Sequence, residues 1–193
     1  MNVVLDGPNI NLVYYVISFV FVLIFLFRYL KTSFSDLLDN PLGALRSVIL
    51  AYLMNYVFVT LISLVLMFLA GDALNPNTEE IINQTKLDTN VMVFIAVLLV
   101  PIVEETLFRG VLFGTLRGKS RPLAYIVTAA VFAVYHLWQY FFTGFDATVL
   151  FYLLQYLPAS VALCWCYENS GTIWSPIVLH AAINLISINI TIG

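Results

Sequence analysis

Apolar residues run through this chain in long unbroken stretches rather than alternating with polar ones. Six stretches reach or approach the ~20 residues that a helix needs to cross the hydrocarbon core of a bilayer. They are residues 10–27, 47–70, 91–116, 123–142, 147–166 and 173–190. Continuous apolarity at this length predicts helices, because a lone strand would leave its backbone groups unpaired in lipid. Polar or turn-forming runs separate the stretches, most clearly at residues 31–40, 71–90 and 118–122. The expected fold is an all-α polytopic membrane bundle of about six transmembrane helices. Residues 1–90 would form two N-terminal spans and an external loop, and residues 91–193 a helical core enclosing any active site.

Composition points the same way. The 193 residues are 62% hydrophobic and 10% charged, where a soluble domain carries about 25% charged residues. The net charge of −3 offers no basic face for nucleic acid, so lipid is the expected surroundings. Asp6 stands where a signal peptide would be cationic, and the first stretch reads as a retained helix. Cys164 and Cys166 are too close in sequence for a good disulfide and incomplete as a metal site; they read as buried apolar residues.

Charge sets an orientation. Arg28, Lys31 and Arg46 lie between the first two stretches, and Arg117, Lys119 and Arg121 between the third and fourth. The opposite loops hold Lys86 alone against Asp72, Glu79, Glu80, Asp88 and Asp146. By the positive-inside rule the basic loops are cytoplasmic and both termini outside, in a multi-pass protein of the cell membrane. Cys164 and Cys166 are expected near the cytoplasmic end of the fifth stretch.

The informative residues are those that cost most in lipid. The third stretch contains Glu104, Glu105 and Arg109, the fourth His136, and the sixth His180 and Asn184. A charge at mid-bilayer costs about 2.5–3.5 kcal/mol on insertion scales. Counting from the basic loops at about 1.5 Å per residue puts all of them in the middle slab of the core. Glu105 and Arg109 are four apart and can pair, while Glu104 is turned about 100° from Glu105. His180 and Asn184 also share a face. Pro101, just before the glutamates, removes a backbone donor and loosens the helix there. Singly, each piece has a structural explanation, as a buried ion pair or interhelical hydrogen bonds. Three helices carrying such groups at one depth point to a functional site.

Two mechanisms fit the set. In one, Glu104 with His136 activates water for attack on a peptide carbonyl, and His180 and Asn184 donate to the oxyanion. In the other, Glu104, His136 and His180 hold Zn2+, which acidifies the water. The sequence leaves both open, although H-E-x-x-H is absent.

The run Glu104-Glu105-Thr-Leu-Phe108-Arg109 resembles the E-E-x-x-x-R motif of the CPBP family, the CAAX-prenyl proteases and bacteriocin-processing or immunity (Abi) proteins. Phe132-Ala-Val-Tyr-His136 resembles its F-x-x-x-H motif, and His180-Ala-Ala-Ile-Asn184 its H-x-x-x-N motif. The likeness covers about residues 91–190. It implies an intramembrane endopeptidase in which Glu104 and His136 activate water, His180 and Asn184 bind the oxyanion, and Glu105 and Arg109 support the site. The implied substrate is a peptide or a membrane-associated protein. Two rivals remain: a non-catalytic immunity or regulatory protein of the same family, and a small proton-coupled transporter. The absence of paired broken helices in matching halves counts against the transporter.

Overall fold

A computed structural model describes residues 7–70, 75–143 and 148–192. Asp6, Asp72, Asp146 and the expected start of the fifth span at Ala147 lie outside the described residues. Within them the chain is helical, without strands.

The first helix, α1 (Gly7–Asp39), runs on through the polar residues expected to form a loop at 31–40. At 33 residues it measures about 50 Å, well beyond a core about 30 Å thick. Its basic end therefore projects past the hydrocarbon or the helix tilts. The break comes only at Asn40, where Pro41 can begin a helix but not continue one. Helix α2 (Pro41–Ala70) follows.

The expected external loop at 71–90 contains a helix instead, α3 (Pro76–Leu87). Its start is built from local chemistry: the Asn75 side chain caps the Asn77 N–H, and Pro76 fills the first helical position. Asp88 ends α3 and caps the next helix through the Val91 N–H. That helix, α4 (Thr89–Arg117), is interrupted by two π-helical segments, Ile95–Leu99 and Thr106–Phe113. Then come α5 (Arg121–Leu137), the short α6 (Tyr140–Thr143), α7 (Thr148–Ser170) and α8 (Trp174–Ile192).

Among the described residues, α1, α2, α4 and α7 are long and apolar enough to cross a membrane, and α5 and α8 are shorter apolar helices. The fourth stretch thus ends at Leu137 rather than 142. Helix α4 is the central one: more than half of its apolar stretch is buried, whereas α1 and α2 are almost wholly exposed along theirs. The outward faces of α1 and α2 carry exposed Ile17, Ile24, Phe25, Leu53, Leu61 and Phe68. Water would not tolerate so much apolar surface, and a bilayer covers it. The protein is a polytopic helical bundle.

Three packing contacts fix the frame. Helix α2 lies along α7, and α5 packs on α7 from another side. Val22 and Leu30 of α1 join Val103 of α4 and Ile173 and Ile177 in one buried cluster. At the end carrying Arg28, Arg117 and Arg121, polar links tie the helices together. Ser33 bonds Thr172, the Trp174 indole donates to the Leu30 carbonyl, and Arg121 forks onto Glu168, which also accepts from Tyr125.

Candidate active site

The polar residues of α4 emerge from its irregular stretch. In the first π segment the Val100 N–H bonds the Ile95 carbonyl, five residues back. The next carbonyl in that register belongs to Ala96, and its donor would be residue 101. That residue is proline and has no N–H. The Asn184 amide of α8 supplies the missing donor, bonding the Ala96 oxygen at 2.8 Å. Asn184 thus ties α8 to α4 just ahead of the glutamates, with one of its two amide hydrogens.

The two glutamates face different partners. Glu105 and Arg109, both fully buried, form an ion pair of 2.9 Å. His180 adds a bond from Nδ1 to the same Glu105 oxygen at 2.7 Å. The other arm of Arg109 donates to the Ser160 hydroxyl (3.0 Å) and carbonyl (3.2 Å) on α7. The guanidinium lies over the Phe132 ring, 4.5 Å from its centroid. Glu105, Arg109, His180 and Ser160 are therefore one network joining α4, α7 and α8.

Glu104 belongs to a second group. It is 2% exposed. Its Oε1 accepts from the Tyr15 hydroxyl of α1 at 2.9 Å, and its Oε2 faces His136 Nε2 at 3.9 Å. His136 Nδ1 lies 2.8 Å from the Phe132 carbonyl. A carbonyl only accepts, so Nδ1 carries the proton, and a neutral His136 turns a bare Nε2 toward Glu104. Tyr156 of α7 stacks on the imidazole at 4.6 Å, and Tyr135 meets it edge-on at 5.5 Å. The Tyr156 hydroxyl bonds Asn75 and Asn77, so the start of α3 is linked to the site.

Phe132 stands between the groups, 4.4 Å from the His136 ring and 6.3 Å from the His180 ring. The structure thus brings Glu104 to His136 and Glu105 to Arg109 and His180, while Asn184 is engaged with the backbone of α4. Its geometry gives a direct means of holding water. A water about 2.8 Å from both Glu104 Oε2 and His136 Nε2 would subtend roughly 90° between them, close to the angle of its own two O–H bonds. Each acceptor would then take one hydrogen and leave the oxygen lone pairs free.

His180 can present an Nε2–H only as imidazolium, because Nδ1 is committed to Glu105. The zinc set Glu104, His136 and His180 does not converge: among the described residues no three His, Cys, Asp or Glu side chains group as metal ligands. His180 turns to Glu105, while His136 turns to Glu104. Cys164 and Cys166 are buried free thiols. Cys164 lies beside Arg109 and Ser160, nearer the polar level than its place in the sequence suggested.

Sequence reasoning missed Tyr15, Tyr156 and Ser160. Tyr15 follows Tyr14 in an apolar run, while Tyr152, Tyr156 and Ser160 recur every four residues, a hydroxyl stripe on one face of α7 that was the available signal.

The chain is similar to the UPF0177 protein YxdF of Lactococcus lactis subsp. lactis (strain IL1403), at 25% identity over 170 residues, 88% of each chain. No solved structure matches it significantly. Residues 86–186 match the family described as Type II CAAX prenyl endopeptidase Rce1-like. That segment covers more than half of the sequence and contains Glu104, Glu105, Arg109, His136, His180 and Asn184, and the chain belongs to this family of membrane proteases.

Proposed function

We propose that the protein is an intramembrane endopeptidase that hydrolyses a peptide bond with water activated by Glu104 and His136. The observation that carries this reading is the 3.9 Å approach of Glu104 Oε2 to His136 Nε2, with His136 Nδ1 turned to the Phe132 carbonyl. Water held by both acceptors gives one proton to this pair as its oxygen bonds the carbonyl carbon. The carbonyl π electrons move to oxygen, and the resulting oxyanion draws on donors such as an Nε2–H of His180 and the second amide hydrogen of Asn184. Collapse of the intermediate breaks the C–N bond, and the proton passes to the departing nitrogen.

Substrates are membrane-associated peptides or proteins, and the family's name makes a prenylated C-terminal peptide the first to try. The basic ends of the helices are proposed to face the cytoplasm, with both termini outside.

The test is cleavage in liposomes of a peptide and membrane-protein-fragment library, read by mass spectrometry. The parent is expected to cleave, and Glu104→Ala and His136→Ala to lose activity by at least about a hundredfold while remaining inserted. Full activity in either variant overturns the assignment. A chelator arm is expected to leave cleavage intact; loss that zinc restores would replace the metal-free mechanism.

A further inference from the structure

Helix α1 lies outside the segment that matches the family, yet it delivers a hydroxyl to the glutamate at the centre of the site. We infer that Tyr15 is a positioning residue, whose phenol O–H holds one oxygen of the Glu104 carboxylate so that the other faces His136. This deepens the protease reading and rests on it for the kinetic consequence.

A carboxylate on a flexible side chain can turn about its last bond, exchanging its two oxygens and their directions. Among the described residues one hydrogen bond holds the Glu104 carboxylate, the 2.9 Å bond from Tyr15 to Oε1. Its Oε2 is buried and takes no hydrogen bond from the described residues. The pair His136–Glu104 at 3.9 Å is too long to fix the carboxylate directly. Tyr15 therefore selects which oxygen reaches the water.

The phenol is itself held. Its ring packs edge-on against Tyr14 at 5.0 Å and against the cluster of Val22, Leu30, Val103, Ile173 and Ile177. Helix α1 packs against the α4 segment Val100–Glu105, so the hydroxyl and the glutamate sit on facing surfaces. A donor on a rigid aromatic arm orients its acceptor better than a mobile water would.

Tyr15→Phe removes the hydroxyl and little else. Tyr29→Phe is the control: it lies on the same helix and removes an O–H that bonds Tyr167 instead. In the first arm, infrared difference spectra of protein in liposomes locate the Glu104 carboxylate band by its loss in Glu104→Gln. That band is expected to move in Tyr15→Phe and stay fixed in Tyr29→Phe. In the second arm, a fluorogenic peptide pool ending in Cys-aliphatic-aliphatic-Xaa is offered with and without farnesylation of the cysteine. Tyr15→Phe is expected to lower kcat about 10- to 100-fold per folded enzyme, with KM changed less than about twofold.

An unmoved band overturns the inference whatever the kinetics give. A moved band with parental kcat also overturns it, since the bond then orients nothing the reaction uses. If the parent cleaves nothing and the library above also stays intact, the protease reading fails, and the infrared arm alone decides for or against Tyr15 as the group that holds Glu104.

Discussion

The guanidinium of Arg109 meets a carboxylate on one side and the hydroxyl and carbonyl of Ser160 on the other, with a phenyl ring against its face. Removing it would leave Glu105 charged, buried and bonded only through His180. Breaking a buried pair from one side costs about 3–5 kcal/mol. Arg109→Ala is therefore expected to lower the unfolding midpoint in detergent severely or abolish accumulation. Arg109→Lys should recover little of it, because a single ammonium cannot fork between Glu105 and Ser160. Thermal unfolding followed by size-exclusion chromatography measures both. The i,i+4 spacing made this pair readable in the sequence. The partition of the histidines was not readable, because which imidazole meets which glutamate depends on how α5 and α8 pack around α4. Tyr15 was hidden for a related reason: a tyrosine in an apolar helix looks the same whether it meets lipid or a carboxylate.

At the scale of the element, Pro101 and Asn184 form a unit. The proline leaves the Ala96 carbonyl without its donor, and the asparagine provides one from another helix. Asn184→Ala is expected to destabilise the protein by about 1 kcal/mol, because the half-buried Ala96 carbonyl loses its donor. Pro101→Ala restores a backbone N–H, so the double variant should lose less than Asn184→Ala alone. A double-mutant cycle of unfolding midpoints reads the coupling, and simple additivity would argue that Asn184 acts elsewhere. The loosening at Pro101 was legible from the residue type, but the π-helical path around it was not, since no side-chain pattern marks it. Helix α3 was more accessible. Asn75-Pro76 is a strong helix start, yet the polar composition of the segment outweighed it in the reading of a loop.

Across the whole molecule, the long apolar stretches were enough to anticipate an all-helical membrane bundle, because lipid permits few alternatives. They could not set helix ends. Charged residues on α1 continue its helix instead of breaking it, and α5 stops before its apolar run does. The orientation proposed from charge has a direct test. With Cys164 and Cys166 replaced by Ala, Lys119→Cys is expected to react with an impermeant thiol reagent only when the cytoplasmic face is open. Asn83→Cys should react from outside intact cells. Reversed labelling would invert the bundle.

The π segment at Ile95–Leu99 also bears on how this chain can change length. Closing a helical turn over five residues instead of four accommodates one residue more than an α-helical path between the same flanking turns. Loss of one residue inside 95–99 can be absorbed by returning to the tighter path, leaving Glu104 and Glu105 on their present sides. Loss of one residue between Pro101 and Glu104 has no such reserve ahead of the glutamates, and it would swing both carboxylates by about 100° relative to the preceding turns. The irregularity is thus a splice point, the place ahead of the glutamates where α4 can lose a residue while its two carboxylates keep their separate partners.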